Sequence, residues 1–479
     1  MKNRRQPSVL RSLFLSIAAF LLVGAVPLFA QDVLEFQEPN VAPLMEMASN
    51  RAGGGVFVNA SGVLTRHAVM DIGMVSRAQL NAARASFRLR GDVTASSPMR
   101  AVSLNRLEKA VAEAIEGDGV LTSEMLYLAG LQRITHVFYF PETNDIVIAG
   151  PAEAWFPGYE DIMIGVNTLQ PVLELRHLVT ALRAFAPGGE GGVIVGCSID
   201  PTPEGSVRLQ QFVQQFNSFP RRGTNQEFTR GVRENIGMQT VRVDGIPATT
   251  HAAQMMVAAD YRMKRIALGA DPVPVRGLQT FIAHTVPTVS NAVFRWYFTP
   301  DYESVILTED RTGMQLVGSS VKLIGENELL LAQGERVVVG GLDPGSRAFT
   351  QSFTRLYPQI AQRALVFAQL RNWIDMLITA AHIQREDFYG QSDWAMEFFG
   401  DEERFPLETF PAPQAVEPVV GTRVVRGALL APVGGGIVID AELALEEEHA
   451  RFDTDGRITE QQQRIALNLP EGVWWWDVR

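Results

Sequence analysis

The chain has 479 residues, 46% of them hydrophobic and 20% charged, with 41 glycines and 26 prolines. That composition excludes a disordered, collagen-like or disulfide-rich protein, and the length predicts about three domains at about 150 residues each. The 42 basic and 53 acidic side chains give a net charge of -11, which argues against nucleic acid as a partner.

The N-terminus carries Lys2, Arg4, Arg5 and Arg11, then an apolar run from Leu13 to Val26, then Ala30 before Gln31. This order predicts a secretory signal peptide over residues 1–30, with an uncleaved N-terminal membrane anchor as the alternative. Removal of that segment takes away four basic and no acidic side chains and leaves a net charge of -15. An exported, periplasmic or extracellular protein is therefore expected, with membrane contact only if the segment stays attached. Cys197 is the single cysteine, so no intrachain disulfide forms and stability must come from the core.

The stretch Gly54–Leu64 predicts a hairpin of two short strands joined by an Asn/Gly-containing turn. Asn105 followed by Glu108 predicts a capping box for a helix with Leu107, Val111, Ala114 and Ile115 on its apolar side. A second hairpin is expected from Ile134–Phe140 and Ile146–Ala149, followed by an amphipathic helix through Leu175, Leu178, Val179, Leu182 and Phe185. Next come a strand at 192–199 and a helix capped by Thr202 with Pro203 in its first turn; Val207, Phe212, Val213 and Phe216 form its buried stripe. Strands at 239–243, 293–298, 304–308 and 314–324 follow, the last three as a meander. Phe349, Phe353 and Leu356 mark one helix; Pro358 is expected to open another that runs to His382.

These elements predict an α+β fold of two mixed units with hairpins, then a helical hairpin and a small β-rich tail. The expected division is a signal peptide at 1–30, an α+β domain at 31–187, and a second α+β domain at 188–399 that ends in long helices. A Pro-rich linker at 400–420 and a β-rich tail at 421–479 complete the chain.

Four stretches are distinctive: Tyr127–Arg133, Ala149–Glu153, Cys197–Gly205 and Ala259–Arg265. They resemble a family of exported proteins of unknown function, mostly from planctomycete bacteria, over about residues 50–385. The resemblance implies export and assigns no activity to any residue.

Chemistry-bearing candidates are few. In the helix expected from Thr250 to Leu268, Asp260 and Lys264 fall inside the apolar stripe with Arg262 and Arg265 directed elsewhere. Their i,i+4 spacing predicts a direct pair, either structural or an acid/base site. Cys197 with His251 as its base is a second candidate, weighed against a packing role for a cysteine in an apolar strand. No two of the seven histidines are close enough in sequence for a zinc-type motif. Asp453 and Asp455 around Gly456 resemble the centre of a calcium loop, but Arg451 and Gln462 occupy its two end positions, so no metal and no cofactor is expected. In the run Trp474–Trp476, alternation predicts Trp474 and Trp476 packed on the body and Trp475 half exposed. With no complete catalytic motif, the expected function is a non-catalytic exported protein that binds another protein or an envelope component; the alternative is an unrecognised hydrolase with a cleft between the two α+β units.

Overall fold

A computed structural model describes residues 56–66, 80–81, 92–117, 119–158, 162–218, 225–284, 292–330, 336–339, 344–421, 433–467 and 472–478. The expected signal peptide lies outside the described residues. All the described residues fall within one compact unit, Asn40–Arg479.

Among the described residues, the larger sheet holds nine strands in the order β1 (Val56–Val58), β2 (Val63–Arg66), β15 (Ala415–Val416), β9 (Gln239–Asp244), β8 (Ile194–Pro201), β16 (Val433–Asp440), β10 (Ala292–Pro300), β13 (Val321–Leu330) and β14 (Arg336–Val339). β16 runs parallel to β10 and antiparallel to β8, so the Gly-rich stretch near the C-terminus supplies a central strand. Residues alternate across this sheet as a strand's period of two requires. Val195, Cys197, Ile199, Ile437 and Ile439 are buried on one face, while Ile194 and Val438 are exposed on the other.

Among the described residues, the smaller sheet holds seven strands in the order β17 (Arg451–Phe452), β11 (Val305–Leu307), β12 (Gly313–Leu316), β4 (His136–Phe140), β5 (Asp145–Ala152), β3 (Ser97–Ser103) and β18 (Trp475–Asp477). A two-stranded ribbon pairs β6 (Trp155–Pro157) with β7 (Met163–Gly165). The principal helices are α1 (Leu104–Gly117), α2 (Leu175–Ala184), α3 (Pro203–Ser218), α4 (Asn225–Ile236), α5 (His251–Ala267), α6 (Pro344–Arg363), α7 (Leu365–Arg385) and α8 (Arg457–Leu467). One continuous core combines Val137, Tyr139, Ile146 and Ile148 of the smaller sheet with Cys197, Trp296 and Ile437 of the larger one and the inner faces of α2, α5, α6 and α7. The other face of the smaller sheet, through Phe138, Phe140 and Val147, is covered by Ile458 and Ile465 of α8 and by Trp476. The fold is α+β. Among the described residues, no helix is long and apolar enough to cross a membrane.

The hairpins β1–β2 and β4–β5 form as expected, and Thr202 caps α3 by accepting from the Gly205 amide at 3.0 Å. Three local expectations need correction. Residues 314–324 are not one strand: the chain turns at Gly318 and Ser320, both at positive φ, so that β12 joins the smaller sheet while β13 returns to pair with β10 along its whole length. The meander therefore does not form, because residues 301–320 make an excursion from one sheet to the other. Pro358 does not open a helix but lies inside α6, and the break falls at Ala364 (φ -114°, ψ 99°). The hydrogen bond that a proline forfeits is offset by burial of Phe353, Tyr357 and Ile360 on both sides of it. Finally, α1 starts at Leu104, one residue before the expected cap, and Ser103 Oγ accepts from the Arg106 amide. Glu108 is thereby free of a capping role, and its carboxylate accepts from Trp394 Nε1 and from the Phe398 and Phe399 amides.

Candidate functional site

Helix α5 positions most of the candidate side chains. Thr250 starts it, its Oγ1 accepting from the Ala253 amide at 3.2 Å, and Gly269 beyond its end takes positive φ. The helix packs against β8, β16 and β1 and against α2 and α7, so it is buried nearly all round. Arg262, expected to point away from the apolar stripe, is buried too: with neighbours on both sides, α5 has no solvent face there.

Lys264 Nζ donates to Asp260 Oδ2 at 2.6 Å and reaches the Gly435 carbonyl at 3.3 Å. The two side chains are 1% and 0% exposed, which removes them from contact with bulk solvent. Burial raises the Asp260 carboxyl above its ordinary range, and the neighbouring Lys264 ammonium opposes that shift. Asp260 Oδ1 has no hydrogen-bond partner among the described residues. Gly435 is required beside this pair, because a Cβ there would lie 1.9 Å from the Trp296 carbonyl oxygen of β10. Cys197, on β8, belongs to the same neighbourhood. Burial, and after it the Asp260 carboxylate, pushes its thiol well up, which suits packing rather than nucleophilic attack.

His251 is elsewhere. It opens α5, nine residues before Asp260, which at 1.5 Å per residue places it about 14 Å away along the helix axis. The expected Cys197–His251 couple is therefore not assembled. Instead the His251 ring stacks on His177 of α2 with centroids 5.0 Å apart, and His177 Nε2 meets His251 Nδ1 at 2.8 Å, one of the two nitrogens carrying the shared proton.

Glu174 completes this second constellation. It occupies the N-cap position of α2 without making a side-chain cap, and its Oε2 accepts from Arg176 Nε at 2.5 Å. Arg176 in turn donates through Nη1 to Glu408 Oε2 at 2.9 Å. Burial alone would raise the Glu174 carboxyl, but Arg176, His177 and His251 overcome it and hold the group at about 2. Burial lowers the His177 imidazole to about 4 against the pull of Glu174, so the ring is neutral at pH 7. Tyr127, beside the same carboxylate, is pushed up to about 12 by burial and then by Glu174. Trp373 of α7 presents an edge contact to His177, and Phe410 packs at 5.3 Å on His251 while the Arg176 guanidinium lies over the Phe410 ring at 5.6 Å. The segment bearing Phe410 is tied down on the start of α5: the Phe410 amide donates to the Thr249 carbonyl, and Gln254 Nε2 donates to the Pro411 carbonyl.

Donor atoms of Glu174, His177 and His251 all lie within 4.8 Å of one another. The histidine spacing along the chain gave no zinc-type pair; the fold brings together two histidines from different helices. Glu174 and His177 were missed. The signal for them was the Glu-x-x-His spacing, which puts a carboxylate and an imidazole on one side of a helix start.

The remaining candidates stand apart. Asp453 caps α8, accepting from the Arg457, Ile458 and Thr459 amides at 3.0, 2.8 and 3.3 Å, while Asp455 faces Arg457 on the surface. Trp476 is buried and Trp475 half-buried beneath the Arg100 guanidinium, as alternation requires, but Trp474 is only half-buried because it precedes β18.

A family model described as a protein of unknown function (DUF1598) matches residues 197–281. This portion runs from Cys197 through α3, α4, β9 and α5 to Phe281, and so holds His251, Asp260 and Lys264 but neither Glu174 nor His177. No curated protein and no solved structure matches the chain.

Proposed function

We propose that the chain is an exported, non-catalytic protein that binds another protein or an envelope component. The observation that carries the non-catalytic reading is the closure of the Asp260–Lys264 pair: at 0% and 1% exposure, neither group can reach a substrate at the surface. Its neighbour Cys197 is held as a thiol by burial. The binding reading draws on the open face of the larger sheet, where Ile194 and Val438 are exposed on the neighbouring strands β8 and β16 and Ile324 on β13, one strand beyond β10. Export rests on the charged start, apolar run and Ala30 at the N-terminus.

Expression of the full-length chain in a bacterium with two membranes tests the reading. The expected product is recovered outside the cytoplasm, begins at Gln31, and turns over none of a set of ester, peptide, glycoside and phosphate substrates. A cytoplasmic chain beginning at Met1 refutes export. Turnover lost in a Lys264→Met variant overturns the non-catalytic reading in favour of the hydrolase.

A further inference from the structure

We propose that Glu174, His177 and His251 hold a divalent cation of the zinc class at the junction of α2 and α5. Two imidazole nitrogens already face one another at 2.8 Å, and a carboxylate oxygen completes a set of three donors within 4.8 Å. Tetrahedral zinc with bonds of about 2.0–2.1 Å needs its donors roughly 3.4 Å apart, so the two imidazole nitrogens must part by about half an ångström while the carboxylate oxygen stays within 4.8 Å of both. Imidazole donors select first-row transition metals over calcium or magnesium, which prefer an all-oxygen shell.

Charge favours the same occupant. Glu174 and Glu408 flank a single guanidinium, Arg176, through bonds of 2.5 and 2.9 Å, which leaves one negative charge over beside three buried donors. Glu408 Oε1 is buried without a hydrogen-bond partner among the described residues. Arg176 fixes Glu174 from outside the donor set, the arrangement by which metal-binding carboxylates are ordinarily oriented. The three donors come from the starts of two helices, and the 408–411 segment is fastened across one of them through Phe410 and Pro411. A bound cation therefore joins α2 to α5. Three protein donors leave one coordination position for water.

The test uses the purified exported chain, stripped with a chelator and titrated with zinc or cobalt(II) alone. Expected results are one zinc retained per chain against a weak chelator, a raised melting temperature, and the intense visible bands of four-coordinate cobalt. His177→Gln and His251→Gln, checked for folding by circular dichroism, should each weaken zinc binding at least about tenfold. Folded variants that keep the parent's affinity, or a parent that loses zinc to the weak chelator, overturn the site. Should either variant fail to fold, the parent's cobalt spectrum decides. Four-coordinate bands support the proposal, and a six-coordinate spectrum like that of the hydrated ion defeats it, leaving His177 and His251 as a hydrogen-bonded pair.

Discussion

His177 and His251 are separated by 74 positions in the chain, yet their ring nitrogens meet at 2.8 Å. Each stands in the first turn of a helix, and α2 packs directly on α5, so the meeting is fixed by where two helices begin. Asp260 and Lys264 are related differently: four residues apart on one helix, they would meet in any α-helical conformation of this segment.

That local pair yields the first prediction. Both charges are buried, so removing one strands the other in a low-dielectric site; Asp260→Ala is expected to cost about 3–5 kcal/mol, and Asp260→Leu with Lys264→Met to recover much of it. Urea denaturation of the three proteins checks this. An Asp260→Ala variant within about 0.5 kcal/mol of the parent would mean that the side chains are hydrated in solution.

Asp453 and Asp455 should separate cleanly in a second experiment. The Asp453 carboxylate satisfies three amides at the start of α8, so Asp453→Ala is expected to cost about 1 kcal/mol, whereas Asp455→Ala on the surface should stay within about 0.5 kcal/mol. Titration calorimetry with millimolar calcium is expected to show no saturable heat, since the end positions of the loop hold Arg451 and Gln462. Saturable binding abolished by Asp455→Ala would revive the calcium site.

A third prediction concerns Glu108, whose Oε1 accepts from the Phe398 and Phe399 amides and whose Oε2 accepts from Trp394 Nε1. Glu108→Gln keeps the shape but turns an NH2 group towards at least one buried donor. The expected loss is about 2–3 kcal/mol, read as a lower urea midpoint with an unchanged slope. A neutral effect would show that the 394–399 loop leaves α1 in solution.

The sequence was informative wherever periodicity and local capping decide structure. The hairpins, the Thr202 and Thr250 helix starts, and the rotation of α5 that pairs Asp260 with Lys264 all depend on residues within a few positions of each other. It failed where the partner is remote. Glu108 has the spacing of a capping residue, and nothing local indicates that Trp394, Phe398 and Phe399 will claim it. Pro358 reads as a helix start, yet burial along α6 outweighs one lost backbone bond. Periodicity directs Arg262 away from the apolar stripe but cannot reveal that α5 is covered on both sides. The Glu174, His177 and His251 group is the extreme case, since it exists only after α2 and α5 dock.

The last prediction is a pH dependence that can be assigned to one buried ring. His382 on α7 is fully buried, neither ring nitrogen has a hydrogen-bond partner among the described residues, and its closest aromatic contact is edge-on to Phe388 at 5.2 Å. Burial, with Arg311 and Arg385 adding to it, lowers the imidazole to about 3. The unfolded chain, with an ordinary histidine near 6.5, binds this proton first as the pH falls, so stability is complete above about pH 6.5 and declines on acidification until the folded pKa is reached. One such group costs about 1.4 kcal/mol per pH unit, or about 2 kcal/mol between pH 6.5 and 5. His136 and His177, each lowered by burial to about 4, act in the same direction, so the parent slope exceeds that of a single group. His382→Leu should remove one proton's share of the slope while leaving the rest. Urea midpoints for both proteins at pH 7, 6 and 5 test this. Parallel lines would mean that His382 takes up no extra proton on unfolding, and hence that its ring finds water or a carbonyl in solution.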